Sequence, residues 1–226
     1  MTTLTWLGHG CFRIDIAGKS VLIDPFLTGN PAAAAKAEDL SPDAIIISHG
    51  HGDHVGDAVE IARRTGAIVV SNFEICEWLA KQGVKNVHAQ NTGGAHEHSF
   101  GTLKFTIAHH SSGLPDGSYG GNPCGIILKT GDGTIYHACD TSLFGDMRLI
   151  GDEGIDLAIL PIGDNFTMGP DDALRAVQLI RPKRVIPDHF GTWDVIAQDV
   201  TAWAERVRLE TAAEPVVLKP GESCAL

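Results

Sequence analysis

Short apolar runs bounded by turn residues recur along the chain, and most have the length or the two-residue alternation of β-strands. The first 23 residues predict three strands, with a turn at Gly18 and Lys19 between the last two. The run 43–48 is apolar and β-branched, which predicts a strand buried on both faces. Strands are predicted over residues 3–7, 12–17, 20–23, 43–48, 67–71, 86–90, 103–107, 125–129, 134–138, 155–160, 184–187 and 215–218.

Segments with helical periodicity separate many of these strands. Helices are predicted over residues 32–40, 57–65, 74–82, 171–180 and 195–210. Each half of the chain supplies several strands and then strand–helix units, a weak two-fold recurrence. We therefore predict an α/β (α+β) protein, a single domain over residues 1–226, with two sheets packed together and helices outside.

The charge balance limits the classes of partner. The chain has 226 residues and a formal net charge of -11, from 17 basic and 28 acidic side chains. This balance argues against a non-specific grip on nucleic acid or on an anionic membrane. Bound divalent cations would offset part of it, so an anionic small substrate stays open. We expect a small-molecule substrate, and a homo-oligomer is left open.

The cysteines and the first residues indicate a cytoplasmic protein. The five cysteines are odd in number and form no CxxC pair, which fits free thiols in a reducing compartment. The start "MTTLTWLGHG" lacks the basic and apolar regions of a secretory signal. No apolar run approaches the length that crosses a bilayer.

The stretch "IIISHGHGDH" carries the strongest chemical signal. A strand-like run ends at Ser48, and His49, His51, Asp53 and His54 follow within six residues. Imidazole and carboxylate ligands suit zinc, manganese or iron. The intervening glycines would let the backbone turn, so that the side chains converge. Four ligand-type residues in six positions favour a metal site over a solvated loop.

Three later residues follow predicted strands and could complete the site. They are His110 before "SSG", Asp140 in "ACDTS" and His189 in "PDHFGTW". "HGHGDH" resembles the His-x-His-x-Asp-His signature of the metallo-β-lactamase superfamily, and these three residues match its remaining ligand positions in order. The start "TWLGHGCFRIDIAGKSVLIDP" is similar to the branch that includes ascorbate-6-phosphate lactonase-like proteins. "HSSG", "GNPCG", "PIGDNFTMGP" and "HFGTW" look closer still to a bacterial group of metal-dependent hydrolases.

The resemblance implies a four-layer αββα sandwich with two divalent metal ions at one edge of the sheets. It assigns His49, His51 and His110 to the first ion. It assigns Asp53, His54 and His189 to the second, with Asp140 bridging both. His109 competes with His110, which we prefer because "HSS" is the family's pattern. We expect zinc, with manganese or iron as alternatives.

Two such ions would share a water and supply hydroxide near neutral pH. Asp53 is the expected catalytic residue that orients this hydroxide. The resemblance also places His9 near the metals, as a substrate-binding or proton-donating group or as a hydrogen-bonded turn residue. Asp24 is either a hydrogen-bonding support for a ligating histidine or a turn residue before Pro25.

Other residues are weaker candidates. Asp164 and Asn165 follow a strand and would either position substrate or serve an ordinary loop. Tyr119 lies in the glycine-rich segment 111–121, which we interpret as a lid rather than a plain connection. The second His-x-His, His96 and His98, is interpreted as a solvated hairpin. His88 and His137 are interpreted as structural, and Cys124 and Cys139 as buried thiols.

The leading functional prediction is a binuclear hydrolase that uses a metal-bridging hydroxide on a small ester, lactone or phosphodiester. An RNA or nucleotide phosphodiesterase is disfavoured by the acidic charge and by the lack of a basic, aromatic-rich arm. A secreted β-lactamase does not fit the N-terminus. A diiron electron-transfer protein is disfavoured, because the motif of that branch resembles His-x-Glu-x-Asp. This chain has His51 at the position of the glutamate. A non-catalytic metal-binding regulator would be expected to lose ligands.

Overall fold

The computed structural model describes residues 1–226, in which two seven-stranded sheets pack face to face. The strands are β1 (Thr3–Gly8), β2 (Cys11–Ile16), β3 (Lys19–Ile23), β4 (Ala44–Ile46), β5 (Ile68–Ser71), β6 (Val87–Ala89), β7 (Ala95–His98), β8 (Gly101–Ile107), β9 (Cys124–Lys129), β10 (Thr134–His137), β11 (Leu157–Pro161), β12 (Arg184–Asp188), β13 (Glu214–Pro215) and β14 (Ser223–Ala225). The first sheet has the order β14-β1-β2-β3-β4-β5-β6 and the second β13-β12-β11-β10-β9-β8-β7.

The two sheets share one internal plan. In the first, β1, β2 and β3 pair antiparallel, and β3 to β6 then pair parallel. In the second, β7 to β10 pair antiparallel and β10 to β13 parallel. The "TGDGT" turn joins β9 to β10, with Thr134 opposite Lys129, as predicted. The weak recurrence in the sequence therefore corresponds to two halves that each run from hairpins to parallel strands.

Helices cover the outer face of each sheet. They are α1 (Gly52–Val55), α2 (Ala58–Thr65), α3 (Phe73–Lys81), α4 (Met147–Gly151), α5 (Pro170–Ile180) and α6 (Val200–Glu210). Neighbouring strand residues point to opposite faces, so Ile46 packs between the sheets while Ile45 packs under α2 and α3. On the second sheet, Ile186 faces inward and Val185 faces α5 and α6. The predicted four-layer αββα architecture is confirmed.

Two predicted helices differ from the structure. The segment 32–40 forms only one 3-10 turn, Ala37–Asp39, because Ala34 donates its N–H to Leu7 of β1 instead of to a helix of its own. The last helix begins at Val200 rather than at residue 195. The carboxylate of Asp199 accepts the N–H of Ala202 and caps the helix there.

Three short elements were not predicted. Strand β14 pairs with β1, so the C-terminus closes the first sheet, while the last predicted strand shrinks to β13. Helices α1 and α4 have four and five residues, too few for a periodic pattern to reveal. No helix of the structure combines the length and the apolar composition that a bilayer span requires.

Candidate metal centre

One edge of the sandwich collects the ends of several strands. His9 follows β1, Asp24 follows β3, and His189 follows β12. All three adopt left-handed backbone conformations, with φ of 56°, 45° and 51°. Such conformations are uncommon for residues other than glycine and cost about 1–3 kcal/mol each, so they concentrate at functional sites. The strained backbone turns these side chains into a common space as each strand ends.

The "HGHGDH" motif, residues 49–54 after β4, does not form the turn that its glycines were expected to allow. Neither Gly50 nor Gly52 has a positive φ. Gly50 is instead needed for close packing, because a Cβ there would lie 3.3 Å from the backbone of Gly113. Gly52 begins α1, and this single helical turn carries Asp53 and His54. The convergence therefore comes from a short helix and a close approach between loops.

A first group consists of His49, His51 and His110. One ring nitrogen of each lies within 4.8 Å of the others. Nε2 of His49 is 3.0 Å from Nδ1 of His51. His49 is fully buried, and its Nδ1 lies 2.9 Å from Oγ of Ser48. The structure thus brings together the three residues predicted for the first ion.

A second group consists of Asp53, His54, His189 and His9, again with ligand atoms within 4.8 Å of one another. The first three are those predicted for the second ion, and His9 joins them. Nε2 of His9 lies 3.2 Å from Oδ2 of Asp53, and Nδ1 of His9 lies 2.8 Å from Oγ1 of Thr192. Because His9 is 0% exposed, this geometry favours contact with Asp53 over the predicted contact with substrate.

Asp140 lies between the two groups. Its Oδ2 is 3.2 Å from Nε2 of His189, 3.4 Å from those of His54 and His110, and 3.9 Å from that of His49. Burial alone would raise the pKa of Asp140, but the charges of His189 and His54 outweigh it and hold that pKa well below its usual range. Asp140 is therefore an anion placed where both groups can share it.

Asp24 supports the site from behind. This fully buried carboxylate accepts the N–H of Ser48 at 2.8 Å and the hydroxyl of Ser48 at 2.5 Å. Its Oδ2 also lies 2.9 Å from Nδ1 of His54. A carboxylate on the outer nitrogen of a ligating histidine fixes the tautomer and the ring orientation. These contacts favour the supporting role over that of a plain turn residue.

The space between the two groups and Asp140 is called the cleft below. Buried nitrogens without hydrogen-bond partners indicate that this cleft is built for a cation. Nε2 of His54 and both ring nitrogens of His189 are buried without a hydrogen-bond partner. Native proteins leave few buried polar atoms unpaired, so such a cluster needs a ligand. Nε2 of His189 faces a carboxylate oxygen at 3.2 Å without hydrogen-bond geometry. The nitrogen and oxygen donors suit Zn²⁺, Mn²⁺ or Fe.

Burial sets the protonation of two further histidines. It holds the pKa of His49 well below its usual value, with the charge of His54 acting in the same direction. Burial also lowers the pKa of His9 to about 4, although the hydrogen bond to Asp53 acts in the opposite direction. Both imidazoles are therefore neutral near pH 7. The free lone pair that a metal ligand needs is available on His49.

His109 and His110 occupy different environments. His109 is exposed, its ring packs edge-on against Phe144 at 5.0 Å between centroids, and it joins neither group. His110 lies in the first group and reaches Asp140. The preference for His110 is thus consistent with the geometry.

The segment 111–121 is anchored over much of its length. The hydroxyl of Ser112 accepts the N–H of Gly50 and donates to the carbonyl of Gly120. Leu114 is buried in the core beneath the first sheet. These contacts favour a fixed connection over the expected lid. Tyr119 is 67% exposed, and its hydroxyl donates to Asn122 rather than pointing at either group.

Asp164 and Asn165 lie in an exposed turn after β11. Both have left-handed φ values, and the Asp164 side chain accepts the N–H of Asn165. Neither side chain bonds to the histidine groups, so their substrate contact stays a prediction. His137 is buried and bonded to Asp188 at 2.9 Å, in agreement with its structural interpretation.

The structure adds residues that the sequence interpretation did not single out. Ser48 bonds to Asp24 and His49, and Thr192 bonds to His9. The rings of Phe26 and Trp193 lie 6.1 Å apart and flank His9 at 5.8 and 4.9 Å. The sequence indicated these two aromatic residues only by their positions directly after "LIDP" and "HFGT". Proximity in sequence does not show which way a side chain points.

Chelation is expected to lower the thermal stability of this protein. A ligand that binds only the folded chain stabilises it by about 2.7 kcal/mol when its free concentration is 100 times Kd. For a chain of this length, that corresponds to a fall in Tm of roughly 5–10 °C per ion removed. Differential scanning calorimetry with and without EDTA measures the effect. Zn²⁺ should restore the Tm, and an unchanged Tm after verified metal removal would contradict the expectation.

Comparison with known proteins places this site in a family context. A family model described as "Beta-lactamase superfamily domain" matches residues 3–189. A UPF0173 metal-dependent hydrolase from Pelotomaculum thermopropionicum is 49% identical over 228 residues, covering 99% of both chains. Another from Bacillus cytotoxicus is 52% identical over 229 residues, with the same coverage. Igni18, a metallo hydrolase from Ignicoccus hospitalis, matches in structure with a TM-score of 0.90 and 36% identity, covering 99% of this chain and 97% of its own.

Proposed function

Because this chain belongs to the metallo-β-lactamase superfamily and is a metal-dependent hydrolase, we propose that it is a binuclear enzyme acting on a small ester or lactone. The observation that carries the proposal is the position of Asp140 between two separate ligand groups. Two divalent ions held there would supply Lewis acidity and an activated water. The first would be held by His49, His51 and His110, the second by Asp53, His54 and His189, and both by Asp140.

Asp53 is suited to orient the activated water of the reaction. It is 30% exposed, whereas Asp140 and the surrounding histidines are almost fully enclosed. A carboxylate has no proton to give, so Nε2 of His9 donates to Oδ2 of Asp53, and Nδ1 of His9 accepts from the hydroxyl of Thr192. The chain Thr192–His9–Asp53 therefore fixes the carboxylate that would orient the activated water.

Two observations favour a neutral carbonyl substrate over a phosphodiester. No lysine or arginine pairs with Asp24, Asp53 or Asp140, whose ionic partners are all histidines. The nearby side chains of Phe26 and Trp193 are aromatic, and Trp193 is 38% exposed. An apolar wall beside a polar reaction centre suits a small molecule with an apolar part. We propose no membrane or nucleic-acid partner, zinc as the metal, and the cytoplasm as the compartment.

The proposal is tested by metal content and turnover together. Elemental analysis of zinc-loaded protein should show one ion fewer than wild type in His49→Ala and in His189→Ala, and two ions fewer in the double variant. A panel of lactones, carboxylic esters, thioesters and phosphodiesters should then show metal-dependent turnover of a carbonyl substrate.

In the same panel, Asp53→Ala is expected to abolish that turnover, while Asp39→Ala, an exposed carboxylate outside the cleft, keeps it. Turnover that survives in Asp53→Ala would contradict the water-orienting role. If the double variant lost no more ions than either single variant, the binuclear proposal would fail. Turnover confined to phosphodiesters would overturn the substrate class alone.

A further inference from the structure

Three histidines outside the cleft come together where an edge strand of the first sheet lies next to an edge strand of the second. His88 lies on β6, the last strand of the first sheet, and His96 and His98 lie on β7, the last strand of the second. One ligand nitrogen of each lies within 4.8 Å of the others. Ring centroids are 4.4 Å apart for His88 and His96, and 4.9 Å apart for His88 and His98. The sequence interpretation of a solvated hairpin does not account for this convergence across two sheets.

We propose that His88, His96 and His98 bind one Zn²⁺-class transition-metal ion, which clasps the edge of the first sheet to the edge of the second. Imidazole nitrogen is a good ligand for Zn²⁺, Cu²⁺ and Ni²⁺, and three histidines with one open position form a known type of zinc site. His96 and His98 are two residues apart on a strand, so they project from the same face.

A buried amide prepares one of these histidines for binding. The side-chain NH₂ of Gln90 donates to the carbonyls of Gly94 and Leu103, at 3.1 and 2.8 Å. Its oxygen is thereby directed to Nε2 of His98, at 3.3 Å. That oxygen can only accept, so His98 carries its proton on Nε2 and keeps a free lone pair on Nδ1. Gln90 thus has the tautomer-fixing role that supports metal-ligating histidines.

The surroundings also keep His98 neutral and its ring ordered. The ring of His98 stacks on Phe100 at 4.9 Å and an interplanar angle of 3°. Burial, together with the charges of His88 and His96, lowers the pKa of His98 to about 4. Burial and His96 also lower the pKa of His88. Near pH 7 the imidazoles of His88 and His98 therefore do not need to lose protons before they bind a cation.

The place of the cluster explains what an ion would do there. Strands β6 and β7 have three and four residues, and each is an edge strand with a partner on one side only. Short edge strands open locally more easily than central strands. An ion shared by both strands would couple them, because either edge could open only by giving up a ligand.

Equilibrium dialysis against Zn²⁺ and elemental analysis test this proposal on the full chain. The wild-type protein should bind one ion more per chain than His96→Ala, whatever number the cleft holds. His98→Asn should show the same loss. Glu97→Ala is the matched control, because it removes an exposed side chain between the two histidines on the opposite face of β7. Equal zinc content in wild type and His96→Ala, or an equal loss in Glu97→Ala, would overturn the site.

Hydrogen exchange provides a second readout that does not depend on activity. Zn²⁺ should slow exchange of the amides of β6 and β7 in the wild type but not in His96→Ala. If one ion is lost in His96→Ala while zinc leaves this exchange unchanged in both proteins, the clasp is overturned.

Discussion

We expect Asp140→Ala to reduce the metal held in the cleft to at most one ion and to lower turnover by about 10³-fold or more. Its Oδ2 lies within 4 Å of ring nitrogens of four histidines drawn from both groups. Within 4 Å, the other two carboxylates contact only histidines of the second group: Asp24 contacts His54, and Asp53 contacts His9 and His54. Loss of the shared anion removes several kcal/mol of charge stabilisation, and about 4 kcal/mol corresponds to 10³-fold.

Elemental analysis and steady-state kinetics on the best substrate of the panel measure this effect. Asp146→Ala is the matched control, because Asp146 is an exposed carboxylate six residues further along the same loop. Asp140→Asn keeps the size of the side chain and removes its charge, so it should resemble Asp140→Ala. Full metal content with wild-type turnover in either Asp140 variant would show that this residue does not join the two groups.

We expect Asp24→Ala to destabilise the folded chain by about 3–5 kcal/mol even without metal. This fully buried carboxylate accepts from the backbone and hydroxyl of Ser48 and contacts His54. Its removal leaves these buried groups without their partner. Alanine also tolerates the left-handed φ of 45° less well than aspartate does. Asp24→Asn keeps an acceptor oxygen and should lose less.

Urea unfolding in the presence of EDTA measures this stability without any contribution from bound ions. Asp43→Ala is the matched control: Asp43 pairs with Lys19 at 2.8 Å on the surface of the same sheet, and its loss should cost about 0–1 kcal/mol. With zinc present, Asp24→Ala should also weaken metal binding by about 10–100-fold, because His54 loses its orienting partner. Equal stability of the Asp24 and Asp43 variants would contradict the supporting role.

Much of the fold was predictable because its signals are local. The alternation of Leu103, Phe105 and Ile107 with polar residues predicted a strand, and β8 covers all of them. The helices at 57–65, 74–82 and 171–180 agree with α2, α3 and α5 to within one residue at each end. The segment 32–40 failed because its backbone bonds to Leu7, a residue that no local pattern connects to it.

The candidate site was predictable to a similar degree. "HGHGDH" contains four of the seven predicted ligand residues within six positions, and the resemblance supplied the other three, His110, Asp140 and His189. The structure brings these seven residues into two neighbouring groups joined by Asp140. The hydrogen bond between His9 and Thr192 joins residues 183 positions apart, and no local sequence pattern around either residue predicts it.

What the sequence determined by itself is most of the strands, the packing of two sheets with helices outside and the chemical class of the site, because each depends on residue type and short-range order. Only the tertiary structure decided which side chains meet: the burial of His9 against Asp53, the support of His54 by Asp24, and the approach of His88 to His96 and His98. These side-chain contacts depend on how the two sheets pack and on the left-handed backbone conformations at the ends of strands. Both arise from the packing of the whole core rather than from any local pattern.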